Sequence, residues 1–340
     1  MIKVEIVADS ANSFGDRLTS LVLTYPRIIH SEMMTHRMFS RNASSSRAVP
    51  VDKMIKAVRE NTFCPFEFQK SHKGMQGSEY FTGIERQECI NLWLESAELA
   101  LQQAEKMKAK GISKQIINRI LEPYQYYTVL ITGSKEGWDN FFNLRNPSYK
   151  LIGLDGENVK SRKEWLEKIQ LSSALHPSMY PKTDVEWLQI NKGQAEIHMM
   201  ALSEKIYDAM NESTPKQLKA DQWHIPMISD LESLKLSTDD QIKLSVGRAA
   251  NTSYTVVGDG KELTLEHAIK IHDKCVELVH SSVFEHCARA MSDEEYKVFI
   301  KGKNIGTIAP YLFDDNSKGW CNNLKGFIPY RYFIDNKIEI

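Results

Sequence analysis

The 340-residue chain lacks any cysteine pair at redox or metal spacing: Cys64, Cys89, Cys275, Cys287 and Cys321 each stand alone. That excludes a zinc ribbon and a Cys-x-x-Cys redox centre. Ten histidines form neither an HExxH pattern nor a Cys/His cluster, so no metal is assigned. A surplus of one charge sign is also missing, since the net charge is -1. This excludes a global basic footprint for nucleic acid and a polybasic tail for membranes, and any anion site must be local. No apolar run approaches a membrane span, and the start has no signal-type apolar core. With unpaired cysteines, the expectation is a reducing cytoplasm. The length is ample for a large core without covalent staples.

What the chain does have is residues 27–50, RIIHSEMMTHRMFSRNASSSRAVP. His36, Arg37, Ser40, Asn42, Ser44, Ser45, Ser46 and Arg47 are too dense in hydroxyls, amide and cations for an apolar core to satisfy. Ile28, Ile29, Met33, Met34 and Met38 recur at three- and four-residue spacings, which predicts an amphipathic helix over Arg27–Phe39. SRNASSSR then reads as a loop whose amides and hydroxyls, flanked by Arg37 and Arg47, suit a phosphate. A polar surface loop ending at Pro50 fits the same residues.

Along the chain, alternation over residues 2–8 and the run LTSLVLTYP predict two strands. Residues 51–61 read as a short helix, 64–80 as a loop, and 84–110 as a long helix stopping at Gly111. Arg119 lies in an apolar helical neighbourhood, where a snorkelling cation is the plain alternative to a ligand. The aromatics of WDNFFNLRN read as core. Residues 147–190 are punctuated by Pro and Gly around one helix at 162–171 and read as an insertion. Residues 193–210 predict a helix, and 212–240 a connector with little chemistry.

THRMFSRNASSSR resembles the RHRxxSxNxxSxR signature of the flavin-dependent thymidylate synthases, with His36, Arg37, Ser40, Asn42, Ser45 and Arg47 at motif positions. Five further blocks resemble the same family. NRILEPYQYYT supplies Arg119, with Glu122 inserted before Pro123. WDNFFNLRN supplies Asn143 and Arg145. GQAEIHMM matches through Gln194, Ala195, Glu196 and Ile197, with His198 where that family has Arg. LSVGRAANTSYTV supplies Ser253 and Tyr254, and HSSVFEHCA supplies His280, Ser282, Phe284, Glu285 and His286. The last two blocks open the family's sequences but close this one, so the expected arrangement is a circular permutation of a single α/β (α+β) domain with a central sheet and long helices. Residues 1–146 and 191–211 carry the family's C-terminal blocks, 212–240 joins the old ends, 241–292 carries the N-terminal blocks, and 293–340 is an extension, whose aromatic, basic stretch at 318–332 resembles the close of phage-encoded members and reads as a surface strand or a lining of the substrate entrance.

The resemblance implies reductive methylation of dUMP with FAD, methylenetetrahydrofolate and NADPH, in a cytoplasmic homotetramer. The protein supplies placement while the cofactor carries the difficult chemistry. It implies catalytic roles for His36, Arg37 and Ser45; flavin contacts from Arg37, Ser40, Asn42, Asn143, Arg145, Ser253 and His286; and nucleotide contacts from Ser45, Ser46, Arg47, Arg119 and His198. Three positions depart from the pattern: Thr35 replaces the first Arg, Ala43 the usual Glu, and His198 an Arg. A bidentate Arg is not replaceable without altering binding. Another pyrimidine nucleotide, modified by hydroxymethylation or at deoxycytidylate, and an inactive flavin- or nucleotide-binding homologue therefore stand beside thymidylate synthesis.

Overall fold

The computed structural model describes residues 1–73, 77–153, 156–173, 175–254, 263–301 and 317–339; Thr255 and Val256 of the Ser253 block lie outside them. Strands Lys3–Ala11 (β1), Arg17–Pro26 (β2), Ser40–Ala43 (β3), Tyr126–Ser134 (β4) and Lys216–Gln217 (β5) form a central sheet in the order β3-β4-β2-β1-β5. All neighbours are antiparallel except β5, which runs parallel to β1. The β2 strand is buried along nearly its whole length, because both sheet faces are covered. On one face Leu21, Leu23, Val129 and Ile131 pack with Met199, Leu202 and Ile206 of the helix Ile197–Glu212. On the other, Leu130 packs with Val246 and Ala249 of the helix Thr238–Asn251 and with Phe284. Each of these side chains larger than Ala contributes about 1.5–3 kcal/mol when fully buried.

The helix predicted over Arg27–Phe39 is not formed. A 3-10 turn, Arg27–Ile29, runs into a single α-turn, His30–Met33, and the chain then straightens into β3. Two interactions end the helix. The Thr35 hydroxyl donates to the Glu32 carbonyl, and the Arg41 guanidinium donates to the carbonyls of Met34 and His36. Phe39 meanwhile sinks against Trp138, ring centroids 4.3 Å apart, which draws the following residues onto β4. Half of the predicted SRNASSSR loop is thus an edge strand, with Ser40 and Asn42 on its buried face.

The long helix, Gly83–Ala109, forms as expected and ends at Gly111, whose φ of +75° favours glycine. Residues 147–190 hold two helices rather than one, Arg162–Ser172 and Asp184–Ile190, around their own cluster of Tyr149, Trp165, Ile169 and Trp187. The segment 212–240, read from sequence as a connector, also pairs with both sheets. It supplies β5 and a further strand, Trp223–His224 (β6), which pairs with Ala288–Ala290 (β7). Phe327–Pro329 completes this second sheet as a buried strand, where a surface strand or an entrance lining was expected. No helix among the described residues is long and apolar enough to cross a membrane.

Candidate functional site

The β3 strand delivers the signature to three different environments. Past its end, the chain turns where the amides of Ala48 and Val49 donate to the Ser45 carbonyl, and the Ser45 amide donates to the Ser253 carbonyl at 3.0 Å. Ser45 and Arg47 then line a cleft of about 740 Å³ with Asn251, Ser253, Tyr254, His267, Lys274 and His280. Among the described residues one Arg, one Lys, two His and several hydroxyls line this space, and no carboxylate does. Such a donor set suits an anionic ligand. The fully buried Asn118 holds the loop in shape, its amide donating to the carbonyls of Ser46 (2.7 Å) and Val49 (2.9 Å). Ser46 itself faces inward and donates to the Glu122 carboxylate, which is also paired with Arg27. Its hydroxyl is occupied, so Ser46 is not presented to the cleft.

The second environment surrounds His36. Arg145, at the end of the helix Lys135–Arg145, donates to His36 Nε2 (3.0 Å), Glu32 (2.9 Å) and Thr35 Oγ1 (3.2 Å). Because Nε2 accepts, the neutral ring carries its proton on Nδ1. Burial, then Arg145 and Arg41, push the His36 pKa down to about 4. Burial raises the Glu32 carboxyl, while Arg145 opposes it. Thr35, the departure from the signature, therefore takes up Arg145 instead of adding a cation.

The third environment is the sheet interior. Asn42 shares a hydrogen bond with His286 Nε2 (3.2 Å), whose Nδ1 meets Thr132 Oγ1 (2.9 Å). Thr132 meets Ser20 (2.6 Å), Ser20 meets His224 Nε2 (2.8 Å), and His224 Nδ1 meets Ser10 (2.9 Å). All six side chains are buried. Burial lowers His224 to about 4 and His286 to about 3, so both rings are neutral near pH 7.

Other candidates lie apart. Ser40 accepts from Asn323 (3.0 Å), Asn143 accepts from Lys160 (2.7 Å), and Arg37 is exposed. Arg119 is exposed and bonds the Gln115 carbonyl, although Gln115 itself lines the cleft. His198 lines a separate space of about 430 Å³ with Phe63, Cys64 and Tyr126, and no other candidate residue shares it. Its Nδ1 meets Glu196 (2.7 Å) and its Nε2 accepts from the Phe66 amide (3.3 Å), so both nitrogens are occupied by local structure. Asn118 and His224 escaped the sequence reading. Asn118 sits beside Arg119 in a block already singled out, and WHIP marked His224 only as part of a connector. Among the described residues no group of three or more His, Cys, Asp or Glu is placed to hold a metal.

No family model matches the chain, and no curated protein matches it. Among solved structures, it is similar to a UMP/dUMP methylase, PolB, from Streptomyces cacaoi bound with 5-Br UMP, at 14% identity, over 62% of this chain and 89% of that one, with a TM-score of 0.42. The same methylase bound with 5-Br dUMP is similar at 14% identity over 51% of this chain and 89% of that one, with a TM-score of 0.35. At these scores the likeness carries no argument about the reaction.

Proposed function

We propose that this protein is a flavin-dependent enzyme that reductively methylates a pyrimidine nucleotide, with dUMP as substrate and methylenetetrahydrofolate and NADPH as co-substrates. One observation carries the reading. Ser45 and Arg47 come from a block far in sequence from those of Ser253, Tyr254 and His280, and all line the same cleft, which has no carboxylate among its described lining residues. A permuted order of the family's blocks requires this meeting of residues 27–50 with 244–288. The Asn42–His286 contact and the bond from the Ser45 amide to Ser253 support it from inside the sheet and from its rim.

In this reading Arg47 and the Ser45 hydroxyl grip the nucleotide phosphate, with Arg119 as a second cation. Asn42, Ser253, His286, Arg145 and Asn143 would hold FAD, together with Arg37 and Ser40. FAD, when bound, supplies the reducing equivalents. His36 presents a neutral ring held by Arg145, so it orients by hydrogen bonding and does not deliver a proton near pH 7. The assembly is a homo-oligomer, a tetramer by the resemblance. A second reading, another pyrimidine nucleotide as substrate, draws on Thr35, which holds Arg145 where the signature places an additional Arg.

The test is the visible spectrum of the purified protein, followed by anaerobic addition of dUMP, methylenetetrahydrofolate and NADPH and mass analysis of the product. Yellow protein and a product heavier than dUMP by one methylene is the expected result. Yellow protein that acts only on another nucleotide supports the second reading, and protein that cannot be loaded with FAD overturns both.

A further inference from the structure

The buried chain from Asn42 to Ser10 has a property that its single bonds do not show. Ser, Thr and neutral His each give one hydrogen bond and take another, so the whole chain can run in either of two senses. In one sense His286 donates from Nε2 to the Asn42 oxygen and His224 donates from Nε2 to Ser20. In the other, Asn42 donates to His286 Nε2, His286 donates from Nδ1 to Thr132, and His224 donates from Nδ1 to Ser10. Mixing the senses leaves two donors or two acceptors facing each other in the sheet interior, at a cost of about 1–3 kcal/mol for the group left unsatisfied.

The surroundings of Asn42 choose between them. With the amide nitrogen toward its neighbours' carbonyls, its two hydrogens have three acceptors within reach, the carbonyls of Arg41 (3.0 Å) and Ser282 (3.3 Å) and His286 Nε2 (3.2 Å). Turned the other way, the nitrogen reaches only the Ala249 carbonyl at 3.5 Å, and the oxygen faces the two carbonyls. The first orientation wins on donor count and on repulsion. It leaves the Asn42 oxygen toward a single carbonyl, that of Ala249 at 3.5 Å, instead of two closer ones.

We infer that Asn42 sets the sense of the whole chain: through His286, Thr132 and Ser20 the orientation of its amide fixes the tautomer of His224. The chain runs from Asn42 to Ser10, and both histidines carry their proton on Nδ1. This direction does not depend on the function proposed above.

The test uses the full chain without added cofactor. Long-range proton–nitrogen NMR of protein labelled with 15N-histidine, with assignment by His224→Gln and His286→Gln, reads both tautomers near pH 7. The expected result is Nδ1–H for both rings; Nε2–H at either ring overturns the assigned direction. Asn42→Asp, studied where the 13C shift shows the new carboxyl ionised, offers only acceptors to His286. Both rings are then expected to change to Nε2–H, although three hydrogen bonds separate them. A change at His286 alone overturns the coupling. Because no flavin is present, a failure here is distinct from a failure of the proposed activity.

Discussion

Arg145 donates its Nε hydrogen to Nε2 of His36 at 3.0 Å, across 109 positions of sequence. The same guanidinium grips Glu32. Replacing it by Gln removes one of the charges that hold His36 down, so the His36 pKa is expected to rise from about 4 toward its ordinary value. Glu32, already raised by burial, is expected to rise further without its cation. A pH titration followed by NMR measures both, and an unmoved His36 would contradict the assignment.

Acid is expected to unfold the protein early. His30, His36 and His224 are lowered to about 4 and His286 to about 3, mainly by burial, from an ordinary value of 6.5. Below pH 6.5 the unfolded chain binds protons that the folded rings refuse, so stability is full above that pH and falls as the pH drops toward 4. The fully buried His224 alone corresponds to about 3 kcal/mol, taking 1.36 kcal/mol per unit. Urea midpoints across pH 4 to 7 check this, and His224→Gln is expected to flatten the dependence.

Arg47→Ala removes an exposed cation of the cleft without touching the core. Loss of a charged phosphate contact is expected to weaken dUMP binding about tenfold or more, since such bonds contribute about 1.5–3 kcal/mol. Calorimetric titration with dUMP, with inorganic phosphate as a reference, reads the change; FAD loading is expected to stay the same.

Asn118→Ala should both destabilise the fold and loosen the Ser45 loop. Its amide satisfies two carbonyls with no exposure to water, so about 1–3 kcal/mol is expected to be lost. Thermal melting gives the stability, and hydrogen exchange at Ala48 and Val49 reports the loop. Melting within error of the parent would refute the role.

Gly133→Ala tests what turns the signature into a strand. A Cβ there would come within 2.6 Å of the Phe39 ring, which is wedged against Trp138. Overpacking of this kind costs about 1–3 kcal/mol. Near-ultraviolet circular dichroism is expected to lose part of its aromatic signal as Phe39 is displaced.

The first two strands and the long helix could be read from alternation and periodicity, because each is decided by its own residues. The signature segment could not. Ile28, Ile29, Met33 and Met34 have helical spacing, yet Ile28 and Met34 are exposed and the outcome is set by Phe39 and Arg41 through partners elsewhere in the chain. Motif spacing did single out Ser45, Arg47 and Ser253, which the fold gathers into one cleft. For His198 and Ser46, chemical type alone does not reveal that Glu196 and Glu122 already bond them. His224 was invisible because its two partners, Ser20 and Ser10, lie more than 200 positions away.

The separation of Asn42 from His286, 244 positions, also has a consequence in time. At a synthesis rate of about 5–20 residues per second, β3 waits on the order of 10 to 50 s for the segment that satisfies its buried amide. During that interval the β3 edge and Asn42 meet water, chaperone or neighbouring nascent chains instead of His286. The cleft, which needs residues from near both ends of this interval, is therefore a late product of translation, and truncated chains released before residue 280 carry the signature without the residues that complete the cleft.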